Sequence, residues 1–85
     1  MEIEKKIKIY ILENLLFGDE EYPFDDNASF LENGIVDSLG VMELVGFAEK
    51  HCGVKVNTEE VIPDNFDTVT RLANFIRRKK NTLYP

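Results

Sequence analysis

Cysteine is almost absent from this chain, with Cys52 the single example. One thiol closes no internal disulfide, and the lone histidine, His51, is its immediate neighbour, a spacing that sends the two side chains in different directions on a helix. A disulfide scaffold and a metal site are both excluded. Long apolar runs are missing as well: the longest, Ile9-Tyr10-Ile11-Leu12, falls far short of the roughly 20 residues that cross a bilayer. No membrane span is expected. The segment Met1-Glu2-Ile3-Glu4-Lys5-Lys6 mixes acids with bases and leads into no apolar stretch with a small-residue cleavage site, so a secretory signal is not supported and the expected address is cytoplasmic. Positive charge is scarce, since 10 Lys and Arg face 16 Asp and Glu, giving a net charge of −6 and a pI near 4.7. A phosphate backbone would be repelled, which disfavours nucleic-acid binding.

The usual sequence marks of catalysis are also sparse. The five glycines are scattered and form no phosphate-binding loop of recognised spacing. His51 could serve as a base, but 13 residues along a helix place it about 20 Å from Ser38. A Ser–His couple within the chain is excluded on that ground, and no enzyme activity is expected.

What is present reads as a single small domain spanning residues 1–85, in which 44% hydrophobic residues build one modest core. Ile3, Ile7, Ile11 and Leu15 recur every fourth residue, predicting an amphipathic helix over residues 3–17 that stops at Gly18. Residues 18–37 form a long loop, pinned by Phe24, Phe30, Leu31 and Ile35, with one helical turn around Ser29 to Glu32. A second helix should run from Asp37-Ser38 to about Cys52, burying Val41, Leu44, Val45 and Ala48 and ending at Gly53. Thr58 to Ile62 can hold a short helix, with Pro63 opening a new loop. Asp67 offers an N-cap for a last helix over about 68–80, which buries Val69, Leu72, Phe75 and Ile76 and carries Arg77-Arg78-Lys79-Lys80 at its negative end. The expected fold class is all-α: a small four-helix bundle of three long helices and one short, with a long first loop.

Charge is segregated along this bundle. Residues 13–67 hold 14 acids against Lys50 and Lys55, while residues 68–85 sum to +5. A field of that kind steers basic partners and speeds their encounter.

The informative stretch is Gly34-Ile35-Val36-Asp37-Ser38-Leu39-Gly40-Val41-Met42-Glu43-Leu44. A serine in the first turn of a helix can cap an orphan backbone N–H through its hydroxyl. It can equally bear a phosphoryl group, which the free N–H donors and the positive end of the helix dipole favour. Leu39, Met42 and Gly46 fall outside the apolar stripe and mix with Glu43 and Glu49, giving a face suited to partner docking.

Asp37-Ser38-Leu39, preceded by Phe30-Leu31-Glu32-Asn33-Gly34 and followed by Met42-Glu43-Leu44-Val45 and Phe66-Asp67-Thr68-Val69, resembles an acyl carrier protein across nearly the whole chain. The resemblance implies 4′-phosphopantetheine, taken from coenzyme A and esterified to Ser38, with acyl or aminoacyl cargo held as a thioester on its thiol. It implies that Asp37 aids a phosphopantetheinyl transferase, and that Leu39, Met42, Glu43 and Glu49 dock partner enzymes. Those partners would be the transferase, an acyl- or aminoacyl-activating (adenylating) enzyme, and a downstream acyltransferase or synthase, served by a monomeric carrier. Fatty-acid carriers usually read Gly-X-Asp-Ser-Leu-Asp, whereas here Ile35 and Val36 separate Gly34 from Asp37, and Gly40 stands at the acidic position. That pattern, with the basic residues 77–80, is more similar to D-alanyl carriers and to stand-alone carriers of specialised pathways. The alternative of a different class is an acidic helical adaptor that keeps the fold without the prosthetic group.

Overall fold

Ile7 and Ile11 are fully buried, so the four-residue repeat of the first helix does face the core. In the computed structural model, which describes residues 2–16 and 21–83, this helix, α1, spans Glu2–Ile11. It continues as a wider π-helical turn over Leu12–Leu16 rather than as regular helix, and both Leu15 and Leu16 pack against the core from that turn. The expected stop at Gly18 lies outside the described residues. Three further helices follow: α2 (Ser38–Cys52), α3 (Pro63–Phe66) and α4 (Val69–Leu83), with a 3₁₀ turn at Thr58–Glu60. No strand occurs among the described residues, and the architecture is the expected all-α bundle of three long helices and one short.

The core-facing stripe of α2 is rotated from the expected one. Gly40, Leu44, Phe47, Ala48 and Cys52 are buried, whereas Val41 and Val45 sit half-buried at its margin. Phe47, not expected in the stripe, is buried with its ring 4.8 Å from that of Tyr10 on α1. Gly53 ends α2 in the left-handed conformation, φ 70°, and its N–H donates to the Ala48 carbonyl. No described helix is long and apolar enough to cross a membrane.

Pro63 begins α3 instead of opening a loop. Ile62 ahead of it is extended (φ −130°, ψ 158°), as a residue before proline should be, and the proline then occupies the first helical position, where its missing N–H costs nothing. Nor does Asp67 cap α4. That role belongs to Thr68, whose buried hydroxyl accepts the Arg71 N–H at 2.9 Å. Val69, Leu72, Phe75 and Ile76 are buried as the spacing requires. An ion pair of 2.6 Å between Arg77 and Glu4 ties α4 to α1.

The long loop is pinned as expected by Phe30 and Ile35, joined by Val36, all of them buried. Leu31 departs from expectation and stands 46% exposed. Its neighbour Phe30 takes the interior position, and the turn at residues 29–33, closed by the Asn33 N–H to the Ser29 carbonyl, faces Leu31 outward.

Candidate functional site

Asp and Ser are both favoured caps, and the structure divides them one residue apart. Asp37 is the N-cap of α2: its backbone is extended and its Oδ1 accepts the Gly40 N–H at 2.7 Å. Ser38 is therefore the first helical residue and not the cap. Its side chain is exposed, and the hydroxyl has no hydrogen-bond partner among the described residues. It stands at the positive end of a 15-residue helix, beside backbone N–H groups that lack intrahelical acceptors.

Gly40 completes this helix start. A Cβ there would lie 2.7 Å from Val36 Cγ1 and 3.3 Å from Asp37 Oδ1, and Val36 is itself packed in the core. An acidic side chain at this position would displace either the core or the cap, which gives the departure from the fatty-acid-carrier pattern a steric cause.

The approach to Ser38 is held from the far end of the chain. Asp67 accepts the Ser29 hydroxyl at 2.6 Å and the Leu31 N–H at 3.1 Å on its two carboxylate oxygens, and its backbone carbonyl accepts the Phe30 N–H at 2.7 Å. The Phe30 carbonyl in turn accepts the N–H groups of Ile35 and Val36. Sequence reading missed this clamp because its partners lie 36 to 38 residues apart and no periodicity links them. Asp67 also lines, with Leu31, Ser38, Val41, Val61, Pro63 and Phe66, a groove of about 190 Å³.

Leu39 and Met42 are 80% and 61% exposed, and with Glu43 they project from one side of α2 at helical spacings of three and four. The Tyr10 hydroxyl donates to Glu43 Oε2 at 3.2 Å, a contact not foreseen from the sequence. Glu49 is exposed as well, but its carboxylate accepts the Val56 N–H at 3.1 Å and so anchors the segment after α2. The structure thus gathers Leu39, Met42 and Glu43 near Ser38 and sets Glu49 two to three turns further along. His51 is exposed and stacked on Phe47, and burial pushes the Cys52 thiol above its ordinary pKa. Among the described residues no group of His, Cys, Asp or Glu could hold a metal ion.

Residues 6–76 match the family described as the phosphopantetheine attachment site. The chain belongs to this family of acyl carriers. The carrier is also 30% identical, over 78 residues, to the "Probable acyl carrier protein PigG" of Serratia sp. (strain ATCC 39006), an overlap of 92% of this chain and 88% of that protein. It is a carrier and not a catalyst, and it holds acyl intermediates on a covalently attached 4′-phosphopantetheine. When attached, the group supplies a thiol on which thioesters form. An exposed serine hydroxyl at a helix N-terminus, beside a groove lined mainly by apolar side chains, fits a phosphodiester with a long arm in both charge and room.

Proposed function

We propose that Ser38 bears the 4′-phosphopantetheine and that this chain, acting as a single monomeric domain, presents short acyl or aminoacyl thioesters to partner enzymes of a specialised pathway in the cytoplasm. The observation that carries this reading is the hydroxyl of Ser38: exposed, unpartnered among the described residues, and relieved of capping by Asp37. Esterifying it breaks no hydrogen bond of the fold, and the helix start lowers the cost of the added negative charge. Asp37 keeps the first turn closed beneath the modified residue while the transferase works.

Leu39, Met42 and Glu43 form the docking face, an apolar centre with an acidic edge, for the transferase, an adenylating enzyme and a downstream acyltransferase or synthase. Glu49 belongs to the periphery of that face, since its carboxylate is already engaged. The specialised pathway is supported by the departures from the fatty-acid-carrier pattern at residues 35, 36 and 40.

The chain's only cysteine thiol is buried, so a newly attached thiol can be counted in the folded protein. After treatment with coenzyme A, magnesium and a promiscuous phosphopantetheinyl transferase, native maleimide labelling should add one label per chain. The Ser38→Ala variant should gain none. Equal labelling of the two proteins would move the attachment elsewhere, and no labelling of either would favour the adaptor.

A further inference from the structure

Whether a serine at a helix start is available for transfer depends on the backbone that leads into it. Here residues 35 and 36 of that lead-in are held by one carbonyl. Phe30 accepts both the Ile35 N–H, at 2.8 Å, and the Val36 N–H, at 3.3 Å, and Phe30 is completely buried. The three residues 29, 30 and 31 are each bound in turn by a different acceptor atom of Asp67: Oδ2, the backbone carbonyl and Oδ1. Asp67 is itself fixed, its N–H donating to the Pro63 carbonyl at 3.0 Å while the next residue caps α4. A series of hydrogen bonds therefore runs from the α3–α4 junction through the loop to Val36, the residue before the cap of α2, and Asp67 and Ser38 line the same groove.

We propose that Asp67 is a positioning residue for phosphopantetheine transfer: it holds residues 29–36 so that the Ser38 hydroxyl projects for attack. This rests on the reading of Ser38 as the attachment site. In the transfer the Ser38 Oγ–phosphorus bond forms as the phosphorus–oxygen bond to the leaving adenosine 3′,5′-bisphosphate of coenzyme A breaks, and the hydroxyl proton passes to a base of the transferase. Such a displacement is sensitive to the placement of the attacking oxygen. Asp67 acts on that placement and not on docking, because Leu39, Met42 and Glu43 belong to α2 itself.

Replacement variants separate geometry from charge. Asp67→Ala removes both side-chain contacts. Asp67→Asn keeps an oxygen for the Leu31 N–H and offers an amide N–H to the Ser29 oxygen, which has a second lone pair beyond the one the Glu32 N–H uses. With wild type, Asp67→Ala and Asp67→Asn as substrates for the transferase, kcat should fall about tenfold or more for Asp67→Ala while KM changes little, and Asp67→Asn should stay near wild type. Amide exchange at Ile35 and Val36 should accelerate in Asp67→Ala alone. A folded Asp67→Ala protein with wild-type kcat overturns the inference, as does an Asp67→Asn protein as slow as Asp67→Ala. If Asp67→Ala does not fold, Ser29→Ala takes its place, with a smaller fall in kcat expected and recovery in Ser29→Thr; a wild-type kcat for Ser29→Ala then refutes it. An unmodified wild-type chain in the same assay would instead refute the Ser38 assignment.

Discussion

At the scale of single residues, the central feature is the division of work between two adjacent side chains. Asp37 satisfies the Gly40 N–H, and Ser38 is left exposed on the first turn. A serine that capped the helix would give up its cap when modified; Ser38 gives up nothing. Loss of Asp37 should therefore cost stability where loss of a capping serine otherwise would, and loss of Ser38 should not. In urea unfolding, Asp37→Ala should cost about 1 kcal/mol and Ser38→Ala less than about 0.5 kcal/mol. A larger loss for Ser38→Ala would return the cap to Ser38. This register was not legible in the sequence, because both residues rank high as caps and a shift by one position changes no periodicity. The absence of an acidic residue at position 40 was legible, but its cause, the 2.7 Å approach to Val36, required the fold.

At the scale of elements, hydrophobic spacing located α1, α2 and α4, since each buries side chains that recur at three or four residues. Local chemistry misled wherever a residue has two uses. Pro63 both ends and begins helices, and here it begins one. Asp67 is a good cap by type, yet Thr68 caps α4 and Asp67 binds a loop more than 30 residues away. The core that results includes packed aromatic rings: Phe47, Phe66 and Phe75 are 4%, 2% and 2% exposed, and the rings of Phe66 and Phe75 lie 5.3 Å apart. Ser38 lines a groove of about 190 Å³. This packing supports the proposed short cargo, because a long chain would have to displace packed side chains. An octanoyl thioester on the arm should leave the methyl resonances of Leu44, Leu72 and Ile76 unchanged. Shifts at those three residues would show the chain entering the bundle.

At the scale of the whole molecule, the separated charges of the sequence are partly matched by the fold. Lys8 pairs with Asp26 at 2.9 Å, Arg77 with Glu4, and Lys79 with Glu60 at 2.9 Å, so acids of the first helix, the loop and the 3₁₀ turn meet bases. The Arg77 guanidinium holds the Glu4 carboxyl below its ordinary pKa, and the Asn57 N–H with Lys79 does the same for Glu60. Such surface pairs join elements more than they stabilise the fold. Glu43 differs: its contact is with the Tyr10 hydroxyl and not with a base, as the proposed docking role requires. Glu43→Lys should slow association with the transferase, and the difference from wild type should shrink as added salt shortens the screening length to about 10 Å at 0.1 M and below. Stopped-flow rates that match wild type at low salt would remove Glu43 from the docking face.

Attachment at Ser38 is read directly by intact and peptide-level mass spectrometry of the wild-type chain and of Ser38→Ala after reaction with coenzyme A, magnesium and a phosphopantetheinyl transferase. One phosphopantetheine per wild-type chain is expected, located on the peptide that contains Ser38, with an unchanged mass for the variant. A folded wild-type chain that gains no mass, or a variant that gains it, would contradict the assignment of Ser38 as the carrier residue.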